Sequence, residues 1–310
     1  MFQSVTSISE KLLFSSLEDN IKSFLDWGFL NIGGFVNVNI PTSGMSNGEF
    51  NLLKPSPDPT AKPGCVWEAV RKDWVCETGV SYKSSSPVTV SGIFVDNNFL
   101  PLPTDNSGPY YINYPLGQVV FSSPQRSTAK ISVSYSYRYI QVYKSTDSIW
   151  WKELQQLSYD PNWSNTNKPD LVMVNHRVQM PTIIVENTAR TIQIPYELGN
   201  VKNIMGQDIL LHIFAENPTQ LNSIIDILLL QKEKQAHLYN INKIIENNVS
   251  LLDYLGRKNI NGLNYGQILS DPTYKSNVFY IHDASVSETN KISSSIYNGV
   301  VRWHIRIFPI

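Results

Sequence analysis

The strongest pattern of apolar and polar positions in the chain lies at residues 208–232. Ile209, Leu211, Ile213 and Ala215 alternate with Leu210, His212 and Phe214, so both faces of the predicted strand are mostly apolar. Asn217 then stands at a helix N-cap, Pro218 at the first helical position, and Gln220 where a capping-box partner reaches back. Leu221, Ile224, Ile225, Leu228 and Leu229 keep the spacing of one helical face. Ile227 and Leu230 add apolar surface on a second flank. A helix apolar on two sides either fills a large core or meets another subunit. No catalytic residue type is concentrated in this stretch.

Upstream, Leu12, Leu13, Leu17, Ile21, Phe24, Leu25 and Phe29 predict a helix over 8–27, capped by Ser7 or Ser9, with Gly28 and Gly33-Gly34 after its end. Residues 35–40 alternate as a short strand. Residues 41–64 carry Pro41, Pro55, Pro57, Pro59 and Pro63 with Gly44, Gly48 and Gly64, which excludes a helix and predicts a long loop or an arm that orders on a neighbour. Residues 66–143 are strand-rich: Trp67, Trp74, Val75, Val80 and Tyr82 open the region, and 88–95 leads into a turn at Asp96-Asn97-Asn98. The clearest hairpin runs from Tyr110-Tyr111-Ile112-Asn113-Tyr114 through Pro115-Leu116-Gly117 to Gln118-Val119-Val120-Phe121. Ile131, Val133, Tyr135, Tyr137 and Tyr139 alternate with Ser132, Ser134, Ser136 and Arg138 as a half-buried strand. Short strands at this spacing predict a β-sandwich or open barrel.

Trp150, Leu154 and Leu157 suggest a short helix over 146–158, and 159–169 reads as a linker. Beyond it come strands at 181–185 and 192–194, the central strand and helix, extended chain at 236–245, an irregular stretch at 247–274, and closing strands at 277–282 and 299–308. In the last strand Val301, Trp303, Ile305 and Ile307 face one way and Arg302, His304, Arg306 and Phe308 the other. The expected class is α+β. Its divisions are an N-terminal helix and proline-rich arm (1–64), a β-sandwich-like domain (65–160) and a mixed α/β domain (170–310).

Composition narrows the functional classes. A length of 310 residues fits about two domains, and 42% hydrophobic content excludes a disordered chain. A net charge of -1 gives no global attraction to nucleic acid or anionic membrane, so any role beside DNA needs a local basic face. Cys65 and Cys76 are too few for a disulfide framework or zinc spacing, which favours two thiols in a reducing compartment. Ser9, Glu10 and Lys11 stand where a signal peptide needs an apolar core, and no apolar run reaches membrane-spanning length. The expectation is a protein made in a cytoplasm, with no membrane partner.

Candidate chemistry is sparse. Gly44-Met45-Ser46-Asn47-Gly48 matches a nucleophile elbow, but the following residues make a poor helix, so a chance match in a loop is the better reading. Glu68, Asp73 and Glu77 cluster near Trp67 and Trp74, either as an acid/base pair with a surface sugar platform or as surface charges over core tryptophans. His176, His212, His237, His282 and His304 form no close ligand pair, and His212 reads as a satisfied core histidine. Arg302, His304 and Arg306 share one strand face, which suits a DNA conduit, an acidic partner or simple solvation on an edge strand. No catalytic residue, metal or cofactor is expected.

Two regions resemble parts of tailed-bacteriophage virion proteins. The run Asn113-Tyr114-Pro115-Leu116-Gly117-Gln118-Val119-Val120-Phe121, followed by Ile131-Ser132-Val133-Ser134-Tyr135, looks like a β-module of phage tail and neck proteins. Residues 181–310 are similar in layout to tail-terminator proteins, through the strand at 209–215, the helix at 218–232 and the amphipathic strand at 299–308. The resemblance implies a mixed α/β fold and a homo-oligomeric, hexameric ring in the virion neck. That ring would contact tail tube or sheath and the head connector, with genomic DNA passing through its lumen. It supplies no active site. The implied subunit contacts are Ile227, Leu230, Arg302, His304 and Arg306; Trp67 and Trp74 are the surface aromatics of the alternative, a carbohydrate-binding β-domain of a tail fibre or baseplate.

Overall fold

The computed structural model describes residues 13–40, 50–58, 60–103, 108–147, 178–195, 203–292 and 296–308. Its first element, α1 (Leu13–Asn31), buries Leu17, Ile21, Leu25 and Phe29, a stripe at every fourth residue. The helix runs through Gly28, past its expected end, because Phe29 and the fully buried Leu30 lie beyond that glycine. Burying two such side chains outweighs the roughly 1 kcal/mol that a helical glycine costs. The chain leaves through a Schellman cap: Gly33, at φ +87, donates to Leu30 O, and Gly34 donates to Phe29 O.

After α1 comes a region of short strands: β1 (Phe35–Val38), β2 (Lys54–Pro55), β3 (Val66–Glu68), β4 (Gly92–Val95), β5 (Asn98–Pro101), β6 (Tyr110–Asn113), β7 (Gln118–Phe121), β8 (Ile131–Val133) and β9 (Tyr135–Arg138). They form a four-stranded sheet in the order β2-β3-β7-β6, a three-stranded sheet in the order β5-β4-β8, and the ribbon β1-β9. The two larger sheets share a core that holds Trp67, Trp74, Ile93, Ile112, Val119, Ile131 and Tyr135. Asp96 and Asn97, both at positive φ, make the two-residue turn between β4 and β5. In the hairpin β6–β7, Gly117 at φ +60 lies so close to Arg71 O and Trp74 Nε1 that a Cβ would clash. Residues 50–58 and 60–64 are not a free arm: Leu53 is core and β2 pairs with β3. Residues 41–49 lie outside the described residues.

The strand expected over 131–139 is divided, and it is not half-buried. Ser132, Ser136 and Arg138 are buried along with Ile131, Val133 and Tyr135, and Arg138 is held there by Asp73 and Glu77. The expected helix at 146–158 falls largely outside the described residues, and the expected linker at 159–169 wholly so.

The second half is built on one mixed sheet from β10 (Gln141–Lys144), β11 (Thr182–Pro195), β12 (Asn203–Ala215), β13 (Gln235–Tyr239), β14 (Lys275–Lys291) and β15 (Tyr297–Phe308). Their order is β10-β11-β12-β15-β14-β13, antiparallel except for the parallel pair β10–β11. Helix α2 (Pro218–Leu229) and α1 cover one face, where Leu211, Ile213, Val301, Trp303 and Ile305 meet Leu17, Ile21, Leu221, Ile225 and Leu228. Thus α1 and β10, assigned from sequence to the first and second segments, share their core with the C-terminal segment. The small sheets are inserted between them.

Other boundaries also differ. The strands expected at 181–185 and 192–194 are one strand, β11, with an irregularity between Asn187 and Thr191. The extended stretch expected at 236–245 stops at Tyr239, where Asn240 caps α3 (Ile241–Glu246) by accepting from Lys243 N. Within the irregular 247–274 lies α4 (Tyr265–Ser270), opened by a capping box of Asn264 and Gln267. Strand β14 extends nine residues past the expected His282, and β15 is interior, not an edge strand.

The indole of Trp303 is fully buried and donates to Leu228 O at 3.1 Å, tying β15 to α2. Trp303→Ala should cost about 3–5 kcal/mol, read as a lowered urea midpoint.

Candidate functional site

Three places combine named candidates with distinct chemistry. The first is a buried charge cluster where the small sheets meet α1. Arg138 on β9 ion-pairs with Glu77 and, at 2.9 Å, with Asp73; its Nε lies 3.9 Å from Asp26 of α1. Lys22 pairs with Asp26 at 2.6 Å. Burial holds the Asp73 carboxyl above the usual carboxylate range despite the pull of Arg138. Three carboxylates, those of Asp26, Asp73 and Glu77, converge on one guanidinium and clasp α1 to the small sheets. The third residue of the sequence cluster, Glu68, is elsewhere, accepting from Gln118 Nε2 and Ser56 Oγ.

Trp67 and Trp74 are not surface residues. They are 2% and 0% exposed; each indole donates to a backbone carbonyl, of Gly64 and Arg71, and Trp74 stacks on Tyr135 at 4.2 Å. Their bulk serves the core shared by the small sheets, which removes the aromatic platform on which carbohydrate recognition rested. Cys65 and Cys76 are buried free thiols, and burial pushes Cys76 well above the ordinary thiol value. Ser46 and His176 lie outside the described residues.

The second place is the outer face of the six-stranded sheet. β-Pairing sets Asp208 of β12 opposite His304 of β15 and next to Arg302. One carboxylate oxygen of Asp208 takes Arg302; the other meets His304 Nδ1 at 2.8 Å. Burial opposes ionisation, yet the hydrogen bonds from Arg302 and His304 hold the Asp208 carboxyl below its usual range. His282 lies 5.9 Å from His304, ring to ring, and the cleft also takes in Lys232, Tyr280 and Asp283. Asp283 and Lys232 pair at 2.9 Å. Of the predicted cationic trio, Arg302 and His304 therefore share a counter-charge; Arg306 has no carboxylate partner among the described residues. The apolar strand's His212 is satisfied, as expected, by Glu186 at 2.6 Å, but it is half-buried on the outer face and not in the core.

The third place is the second flank of α2. Asn217 caps by accepting from Gln220 N, but the Gln220 side chain reaches past the N-cap to accept from Glu216 N and donates to the Tyr139 hydroxyl at 2.7 Å. A groove runs between this helix and the end of α1, lined by Phe29, Ile32, Tyr139, Ile224 and Ile227. Ile227 packs partly on the core, whereas Leu230, the C-cap residue, is 75% exposed. Ile32, which sequence periodicity did not single out, and Tyr139, named there only as the end of a half-buried strand, are half-exposed on the same groove.

Among the described residues no group of three His, Cys, Asp or Glu side chains is placed to hold a metal ion, and no helix is long and apolar enough to cross a membrane. Compared with protein-family models and with curated proteins, the chain matches none.

Arg138→Met should cost about 3–5 kcal/mol at neutral pH, because it leaves buried carboxylates without their counter-charge. A raised carboxyl pKa favours the folded state on the acid side and loses that advantage as pH rises through it. The loss should therefore shrink on acidification, measured by urea titrations across pH. Asp208→Asn should cost about 1–3 kcal/mol at pH 7. Because the Asp208 value is lowered from 3.8, its contribution is present above that pH and lost as pH falls through the folded value. Stability curves of wild type and Asp208→Asn should thus converge only below it.

Proposed function

We propose that the chain is a virion structural protein of a tailed bacteriophage, acting as a tail terminator or connector ring at the neck. The observations that carry this reading are the groove along α2, lined by Ile227, Ile32 and Tyr139, and the exposed Leu230 at the end of the same helix. A half-exposed apolar groove together with an exposed leucine on the same helix suits a neighbouring subunit. The sheet backed by α1 and α2 supports the terminator-like layout of the C-terminal half.

The activity is assembly. Ring closure uses a heterologous contact, in which the α2 flank of one protomer meets a different surface of the next. The small sheets, clasped to α1 through Arg138, are then held at a fixed place on each protomer to grip the tail tube, sheath or head connector. The outer sheet face, where Asp208 offsets Arg302 and His304, suits a lumen that lets DNA pass without binding its sequence.

Electron microscopy and native mass spectrometry of the purified protein test this. Rings should form, and Leu230→Lys should abolish them while changing folding stability by less than about 0.5 kcal/mol. Ile227→Lys should block assembly but also lower stability, because Ile227 touches the core. A chain that stays monomeric at high concentration and is missing from virions overturns the reading.

A further inference from the structure

The loop between α3 and α4 is tightly built and carries one aromatic at its tip. A β-bridge joins Leu252 to Lys258, and Asp253 N donates to Arg257 O. The Asp253 carboxylate accepts from the backbone N–H groups of Leu255 and Arg257 and, at 2.7 Å, from Arg257 Nε. Gly256, at φ +72, lies so close to Asn113 and Pro115 that a Cβ would clash, and its carbonyl accepts from Tyr114 N. Arg257 sits over the ring of Tyr111, while Leu251 and Leu252 pack on the core of the small sheets. Between these fixed residues stands Tyr254, 91% exposed, more than any other large apolar or aromatic side chain among the described residues. Holding a tyrosine out in water on a braced loop adds nothing to the fold. It does favour binding, because the anchor is already ordered when contact is made.

We propose that Tyr254 of one protomer inserts into the groove between α2 and the end of α1 on the next. The inference rests on the ring reading and names the two sides of its contact. Tyr254 is exposed, so it does not fill the groove of its own chain; every copy presents both a knob and a hole, as a heterologous, closing series requires. The groove has a volume of about 450 Å³, with Phe29, Ile224 and Ile227 to receive the ring and Asn217, Gln220 and Ser223 to meet its hydroxyl. The charges agree as well. Helix α2 has no Lys or Arg, and its exposed acids are Asp226, next to Ile227, and Glu216 just ahead of the N-cap. In the loop Asp253 and Arg257 offset each other, which leaves the exposed Lys258 as the surplus charge.

Electron microscopy and sedimentation across a concentration series test this on the intact chain. Tyr254→Ala should raise the concentration needed for assembly about thirtyfold, the loss of a buried aromatic anchor, and leave the urea midpoint unchanged. Lys258→Glu should weaken assembly about threefold, and adding Asp226→Lys should restore it. A chain carrying both Tyr254→Cys and Ser223→Cys should give a ladder of covalent oligomers on oxidation, where neither single variant goes past a dimer. Tyr254→Ala rings that form as readily as wild type, or a double-cysteine chain without the ladder, overturn the proposal and leave the ring reading standing. A wild-type chain that is monomeric at every concentration removes both.

Discussion

The two halves of the molecule depend on one buried guanidinium. Arg138 ends β9, the last strand of the inserted region, just before the chain enters the large sheet at β10. Its partners come from both sides of that junction: Asp73 and Glu77 from the loop around Trp74, and Asp26 from α1. A charge this deep is costly to bury, and each carboxylate that meets it offsets part of that cost. The arrangement favours one relative placement of helix, insertion and sheet over other compact packings. It is reinforced where the Gly256 carbonyl accepts from Tyr114 N and where Asn264 Nδ2 donates to Thr78 O. The insertion is therefore fixed to the α/β body at several separated points.

Around that junction the hydrophobic core follows simple geometry. Two helices lie on one face of the sheet, and the apolar sides of β12 and β15 face them. The opposite face divides. Near Phe214 and Ile184 it is apolar and buried; near Asp208 it is polar and open. The polar part holds the two histidines and Arg302, so the chemistry of the outer face lies where the sheet is uncovered.

Much of this was legible in sequence. The strand at 209–215, the helix that follows Asn217-Pro218 and the period-two pattern of β15 carry strong local signals, and each forms. The hairpin around Pro115-Leu116-Gly117 forms for the same reason. Assignments failed where the signal was nonlocal or polar. The far end of β14, with Ser285, Ser287, Glu288, Thr289 and Asn290, has no apolar alternation because neither of its faces is buried. The short helices α3 and α4 did have a readable sign, in Asn240 and in the Asn264–Gln267 capping box, which the surrounding polar residues obscured. Arg138 looked like the solvent side of a half-buried strand; only the approach of α1, more than a hundred residues earlier, makes it a central charge. Trp67 and Trp74, left open in sequence between a surface platform and the core, are core residues, since burial of a tryptophan depends on the second sheet and not on its neighbours in sequence. Helical angle put Ile227 and Leu230 on a second flank, but it did not separate Ile227, which packs partly on the core, from the exposed Leu230 at the C-cap.

The strand order has a kinetic side. β15 sits between β12 and β14, yet it is the last strand of the sheet in chain order. Helix α1, the first described element, packs against residues of β15 nearly three hundred positions later. Such pairings carry a large loop-closure entropy before they return any contact energy. During synthesis the insertion can fold early from its local hairpins, while α1 and the other sheet strands wait with their apolar surfaces open. The α/β body thus becomes stable only after β15 has left the ribosome, and until then the nascent chain depends on being kept apart from others like it.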